Sequence, residues 1–222
     1  MTSSGTFGLT DDLARRIEDL RPSIPGWCSP EKAAALAGAV LVLQARTVVE
    51  IGVFGGSSLI PIAMALQHQG SGCVFGIDPW DTSSALEEMV DPANLEWWRG
   101  VDLESIRKGC ELLLERHALN FFARLVQGRS EDVVGRFVGA SVDLLHIDGN
   151  HSEAKSVRDV ELYLPKVRAG GLVFFDDVQW VEGGRHTTAR AVELLKEACE
   201  PMFFVGDCVV MRKLARPAEE AP

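Results

Sequence analysis

Two apolar segments of this chain end abruptly in acid: Val142-Asp143-Leu144-Leu145-His146-Ile147-Asp148-Gly149-Asn150-His151 and Gly170-Gly171-Leu172-Val173-Phe174-Phe175-Asp176-Asp177. Short apolar runs of this kind, bounded by glycine and polar residues, read as strands buried in a parallel sheet. An open α/β sheet binds its ligands beyond the carboxyl ends of its strands. Asp148, Asp176 and Asp177, delivered to that edge together, would repel one another unless a cation or shared protons held them. They are therefore candidate metal ligands, and His151 lies three residues beyond the first. Aspartate also favours turns and helix caps after strands, which explains each residue singly better than it explains the set.

Helical and strand patterns alternate along the rest of the chain, which predicts an α/β fold with a doubly wound, mostly parallel sheet and helices on both faces. Residues 1–46 read as an N-terminal helical cover or lid, with residues 1–9 loose and helices opening at Thr10 and Ser29. The sheet domain spans residues 47–213. Strands are expected at 47–51, 73–77, 121–126, 141–147 and 172–175, and an insertion rich in turn residues and tryptophan at 79–101. Met202 to Val205 and Cys208 to Arg212 are separated only by Gly206-Asp207, a hairpin length. That makes seven strands ending in an antiparallel hairpin, which is not the usual nicotinamide-binding arrangement. Residues 214–222 read as a polar, flexible tail.

With 46% hydrophobic and 24% charged residues, the chain can bury a full core. A formal net charge of -10 argues against nucleic acid as a partner, since phosphate binding needs a basic surface. No apolar run approaches membrane-spanning length and no basic-then-apolar leader opens the chain, so no membrane partner is expected and the cytoplasm is the expected location. Cys28, Cys73, Cys110, Cys199 and Cys208 are scattered without a C-x-x-C pair and read as buried thiols in a reducing compartment. Self-association into a homo-oligomer is left open.

Val48-Val49-Glu50-Ile51-Gly52-Val53-Phe54-Gly55-Gly56-Ser57-Ser58 is a strand, a glycine-rich turn and a helix start. The dinucleotide fingerprint begun at Gly52 would need glycine where Phe54 and Ser57 stand, and no Gly-Lys-Ser/Thr follows to make a P-loop. What remains is E-x-G-x-x-x-G-x-S. Its glycines allow close backbone approach to a ligand, and the helix N-terminus offers N–H groups to a carboxylate. Asp78, at the tip of the next strand, is placed to accept hydrogen bonds from ribose hydroxyls. A tight turn with a helix cap is the plainer reading of the loop taken alone.

With these motifs the chain resembles the Rossmann-like S-adenosylmethionine-dependent methyltransferases, from about Thr47 to Arg212. The pairing of H-I-D-G-N-H with G-G-L-V-F-F-D-D is similar to the metal-dependent small-molecule O-methyltransferases, above all the antibiotic-sugar and aminocoumarin branch and more distantly the catechol enzymes. The resemblance implies that Glu50 and Asp78 serve the methionine amine side and the ribose. It implies that Gly52, Phe54, Gly56 and Ser58 line the methionine end, with Ser58 on the carboxylate. Gly128, Arg129 and Ser130 would pass the adenine. Asp148, Asp176 and Asp177 would hold the divalent cation, and His151 would act as the base where the catechol enzymes carry a lysine. That departure argues against a strict catechol enzyme.

Methyl transfer to oxygen is an in-line displacement that needs alignment and a more nucleophilic acceptor. A bound divalent cation lowers a hydroxyl's pKa, and carboxylate ligands suit Mg²⁺. His151 would take the proton, with Asp148 beside it in the reaction centre. His146 reads as a hydrogen-bonded core histidine, and His68 and His117 as structural residues near helix C-termini. Trp80 and Trp180 follow strand ends closely and are candidates for an aromatic wall against the acceptor, with His186 on a covering loop. The expected activity is therefore Mg²⁺-dependent, S-adenosylmethionine-dependent methylation of a small hydroxylated molecule. Two competitors stand beside it: a metal-free methyltransferase, and a non-methylating, hydroxylase-associated relative that keeps the fold.

Overall fold

The computed structural model describes residues 8–215, so the readings on residues 1–7 and 216–222 lie outside the described residues. Thr10 caps helix α1 (Asp11–Leu20), accepting from the Leu13 N–H at 3.3 Å, and Asp11 and Asp12 suit the positive end of the helix dipole. Ser29 caps α2 (Pro30–Leu43), with Pro30 in the first turn where a missing N–H costs least. Then follow β1 (Thr47–Ile51), α3 (Leu59–Gln69), which ends at left-handed Gly70, and β2 (Cys73–Asp78). The insertion holds two short helices, α4 (Thr82–Ala85) and α5 (Pro92–Gly100), and Asp102 caps α6 (Leu103–Arg116). Next come β3 (Ala123–Gln127), α7 (Ser130–Val133), β4 (Val142–Ile147) and α8 (Glu153–Tyr163). After β5 (Val167–Phe175), a two-residue ribbon of β6 (Val181–Glu182) and β7 (Arg185–His186) precedes α9 (Ala189–Ala198) and the closing hairpin, β8 (Cys199–Val205) with β9 (Cys208–Lys213).

The main sheet has seven strands in the order β3-β2-β1-β4-β5-β9-β8. The pairs from β3 through to β5 are parallel, whereas β9 enters antiparallel beside β5 and pairs with β8. This is the seven-stranded Rossmann-like arrangement expected from the sequence. Strand order reverses between β1 and β4, the crevice where such a sheet binds its ligands. The small ribbon was not foreseen, because two-residue strands carry no usable periodicity. Strand β5 also begins earlier than expected. A register shift between Val142 and Leu144 takes up Gly170 and Gly171, which had read as a strand boundary.

Two hydrophobic layers flank the sheet. Val48, Val74, Leu144, Phe174 and Val210 face one, which α1, α2, α3 and α6 complete. Val49, Ile77, Leu145, Val173 and Met211 face the other, beneath α8 and α9. The alternation follows from the period of two along a strand. It also sorts the polar residues: Glu50 and His146 are register partners and share the parity of Val48 and Leu144, the side covered by α2.

Helix α2 is held through Leu36, which is fully buried, whereas Val42 on the same helix is 74% exposed. Leu36→Ala should lower unfolding free energy by about 2–5 kcal/mol, and Val42→Ala should stay within about 0.5 kcal/mol. Urea unfolding followed by circular dichroism checks both, and equal midpoints for the two variants would show that α2 is not docked on the sheet.

Candidate active site

The turn after β1 is shaped by its neighbours. Gly52 has φ 84°, and a Cβ there would run into the backbone of Asp148 and Gly149. Phe54 takes a left-handed φ of 49° despite its side chain. Asp78 holds the turn in place: its Oδ2 accepts from the N–H groups of Val53 at 3.0 Å and Phe54 at 2.9 Å, and its Oδ1 from that of Trp80 at 2.7 Å. Burial raises the Asp78 pKa, and these N–H donors work against that rise. Ser58 donates to Glu50 Oε1 at 2.7 Å.

The turn lines a cavity of about 1090 Å³ through Gly52, Phe54 and Ser58, and Asp78 borders it. Gly128, Arg129 and Ser130 border it too, at the end of β3. Arg129 pairs with Glu87 at 3.2 Å, the Ser130 hydroxyl bonds Asp159, and the Tyr163 hydroxyl donates to the Ser130 carbonyl at 2.8 Å. Glu50 and Gly56 do not reach the cavity. Glu50 is fully buried behind Ser58, and a Cβ at Gly56 would meet Cys110 Sγ at 2.7 Å. Trp80 is likewise buried, its indole donating to the Phe54 carbonyl at 2.9 Å, so it braces the turn and forms no part of an acceptor wall.

The acids at the ends of β4 and β5 separate into two groups. Asp148 and Asp176 keep the parity of His146 and Phe174 and come beneath α2. There the Lys32 ammonium bonds Asp176 Oδ2 and lies 3.8 Å from Asp148 Oδ2. Burial opposes the Lys32 charge, but Asp148 and Asp176 outweigh it and raise its pKa. The Asp148 carboxyl is pushed up to about 8 by burial and by Asp176, against the pull of Lys32. His146 lies behind, its Nδ1 3.7 Å from Glu50 Oε2 and its Nε2 3.6 Å from Asp176 Oδ2. Burial disfavours its charged form, but the two carboxylates hold its pKa up, to about 10.

Asp177, one residue further on and at φ 52°, turns to the other group. Its Oδ2 is 2.9 Å from His151 Nε2, and its carboxylate also shares a hydrogen bond with Asp207. Burial disfavours the charged His151 ring, but the bond to Asp177 outweighs it and raises the pKa. Trp180 packs on the same ring, centroid to centroid 4.6 Å.

The three aspartates therefore do not converge as the sequence suggested. Among the described residues, the donor groups that gather within 4.8 Å are His146 with Asp148 and Asp176, and Asp148 with His151 and Asp177. The Asp148–Asp176 pair does not fit a divalent ion as it stands. A cation, the Lys32 ammonium, is already within ion-pair reach of both Asp148 and Asp176.

The cavity's rim comes from the segments around the sheet. Trp27, Phe54, Trp97 and Trp98 form one aromatic cluster, with Trp27 and Phe54 centroids 5.0 Å apart and Trp97 and Trp98 4.9 Å apart. The insertion is tied down by Asn150, which donates to the Glu87 carbonyl at 2.9 Å, and by Glu182, which accepts from the N–H groups of Val90 and Asp91 at 2.7 and 2.6 Å. Trp180 lines the cavity. His186 is exposed and stands outside it, and its neighbour Arg185 takes the place beside the ligand space. Lys32 and Trp27 were not anticipated. Lys32 had a signal: a cation in the first turn of a helix opposes the dipole, and here an otherwise wholly apolar helix follows it.

A methyltransferase-domain family matches residues 49–178, more than half of the chain. The chain belongs to this methyltransferase family, and its sheet is that of the Rossmann-like, S-adenosylmethionine-dependent class. Solved structures share the fold at low identity. The O-methyltransferase from Bacillus cereus in complex with SAH is 18% identical, with 96% of this chain and 94% of that chain covered and a TM-score of 0.65. Cofactor-bound Rv0187 from MTB is also 18% identical, covering 95% of this chain and 93% of that chain at a TM-score of 0.63. The O-methyltransferase TomG from Streptomyces achromogenes, involved in tomaymycin synthesis and crystallised with SAM, is 18% identical, covering 93% and 91% at a TM-score of 0.61. No curated protein sequence matches the chain.

Asp159, beneath Ser130, gives the site a pH signature. Burial raises its pKa to about 7, against the Ser130 hydroxyl bond. The folded protein thus favours the protonated carboxyl. Its contribution to stability is whole below the unfolded value of about 4 and is lost as pH rises through about 7. Asp159→Asn, which is neutral throughout, should lose less melting temperature than the parent between about pH 5 and pH 8. Parallel melting curves across that range would remove Asp159 as the cause.

Proposed function

We propose that this chain transfers the methyl group of S-adenosylmethionine to a hydroxyl of a small molecule. The observation that carries the reading is one cavity with two differently built halves. One half is the glycine turn, Asp78 and the Gly128-Arg129-Ser130 loop, and the other is the His151–Asp177 pair. The neighbours crystallised with SAH and SAM, described as O-methyltransferases, support the cofactor and the oxygen acceptor. A cavity of about 1090 Å³ has room for a cofactor and a small acceptor together. The formal charge of -10 and the aromatic rim favour a small organic acceptor over nucleic acid.

When bound, S-adenosylmethionine supplies a methyl group activated on a sulfonium. The helix end at Ser58 would receive its charged end, and Asp78, which holds the glycine turn through the Val53 and Phe54 N–H groups, would face the ribose side. Asp177 fixes the His151 ring through Nε2, which leaves Nδ1 to take the acceptor's proton as the new bond to oxygen forms. Trp180 packs on the His151 ring and limits its rotation. Of the two methyltransferase readings the sequence left open, the buried Lys32 favours the metal-free one.

S-adenosylhomocysteine should raise the melting temperature through mass action on the folded state, and Asp78→Ala should lose most of that shift while remaining folded. Stabilisation by NAD and not by S-adenosylhomocysteine would end the reading. A stabilised protein that methylates no hydroxylated acceptor in a broad panel would instead favour the non-methylating relative.

With an acceptor in hand, His151→Ala should lower turnover by about 10²–10⁴-fold with cofactor affinity little changed. Asp177→Asn should fall in the same direction by a smaller factor, since the ring survives but loses its orienting charge. Near-normal turnover in His151→Ala would pass the proton to solvent.

A further inference from the structure

We propose that Lys32 is the resident cation of this site, its ammonium taking the place that a divalent metal ion would hold between Asp148 and Asp176. The inference rests on the methyltransferase reading for its chemistry, but its geometry stands alone. Lys32 is 7% exposed and its ammonium bonds Asp176 while lying 3.8 Å from Asp148. It comes from the first turn of α2, where the helix dipole disfavours a positive charge, so local structure gives no reason for a lysine there. The two carboxylates that would anchor a metal supply the compensation. Asp177, which a three-aspartate site would need, is bonded to His151 and Asp207 instead.

Parity explains why the replacement is possible. Glu50, His146, Asp148 and Asp176 all lie on the sheet face that α2 covers, and α2 therefore presents its first turn to the two strand ends. Lys32 also borders the cavity. An ammonium has three N–H donors, and those not used by Asp176 are available to the acceptor oxygen. In the transfer, the bond between the methyl carbon and sulfur breaks as the bond from that carbon to the acceptor oxygen forms. The sulfonium becomes a neutral thioether, and the acceptor's proton passes to His151. Lys32 stabilises the negative charge that develops on the oxygen, the work a metal ion would otherwise do.

The test uses Mn²⁺ and Mg²⁺ alone as probes, so it needs no acceptor. Chelator-stripped protein, verified by metal analysis, is titrated by calorimetry, with Mn²⁺ also followed by electron paramagnetic resonance. The parent should show no saturable site that depends on Asp176, whereas Lys32→Ala should bind Mn²⁺ at one such site at least about tenfold more tightly than the parent. Lys32→Ala combined with Asp176→Asn should lose that site again. Saturable Mn²⁺ binding by the parent that Asp176→Asn abolishes would overturn the proposal, as would a folded Lys32→Ala that gains no site. Lys32→Gln serves as a second variant if the alanine form does not fold, and it too should bind Mn²⁺ more tightly than the parent. The S-adenosylhomocysteine melting shift, measured on the same stripped parent, reports separately on the methyltransferase reading. Its absence would sink that reading and leave the metal arms to decide the role of Lys32.

Discussion

Buried charge must be balanced, and in this protein the balance is struck at the carboxyl ends of β1, β4 and β5. Glu50, His146, Asp176 and Lys32 are all buried on one face of the sheet. Taking any one of them out of water alone would cost several kcal/mol, about 3–5 once its partner is removed. Together they alternate in sign: carboxylate, imidazole, carboxylate, ammonium. His146 Nδ1 and Nε2 and Glu50 Oε2 make no close hydrogen bond among the described residues. Charge attraction at 3.6–3.7 Å therefore links His146 to its two carboxylates, while directed bonds join Asp176 to Lys32 and Glu50 to Ser58. Lys32 ties the first turn of α2 to this row and also borders the cavity.

The cofactor half is organised by a different device. Asp78 gathers three backbone N–H groups, two from the glycine turn and one from the start of the insertion. It thus joins β2 to the turn after β1 and sets the direction of the insertion. Phe54, Trp80 and Asp177 all adopt positive φ without being glycine, and all stand at this end of the sheet. Such backbone strain persists only where surrounding bonds over-determine it. Here Asp78 binds the Phe54 and Trp80 N–H groups, and the Thr188 hydroxyl holds the Asp177 carbonyl at 2.7 Å. The strain turns Phe54 toward the aromatic rim and Asp177 toward His151.

The coverings of the cavity are distant in sequence and tied by few bonds. The segment before α2 packs directly on the glycine turn, where a Cβ at Gly55 would strike Pro25 and one at Gly26 would strike Ser57. The insertion and the β6–β7 ribbon meet through Glu182, and the insertion reaches the segment after β4 through Asn150. The first of these contacts is close packing, and the others are polar anchors on short segments.

Much of the fold was legible because its elements carry local signals. Thr10, Ser29 and Asp102 cap helices at the residues where capping chemistry places them, and the alternating strand patterns sorted the two faces of the sheet. Gly206-Asp207 announced the hairpin by its length alone, since few connections are so short. The sequence also determined which acids stand at strand ends, and it brought Asp78 and the Gly128-Arg129-Ser130 loop to the cavity. It could not tell Asp176 from Asp177 in role. They are neighbours in the chain, but the period of two sends one beneath α2 and the other toward His151. Nor could it assign Trp80, whose indole is satisfied by a carbonyl 26 residues away in the chain. Lys32 is the clearest case of what only tertiary structure decided. A lysine in a first turn is commonly solvated, and nothing within α2 says that its ammonium will meet carboxylates more than a hundred residues further along. The lysine's place in the first turn of an apolar helix marks it as unusual, but its partners depend on how that helix lies across the switch point of the sheet, which no local pattern specifies.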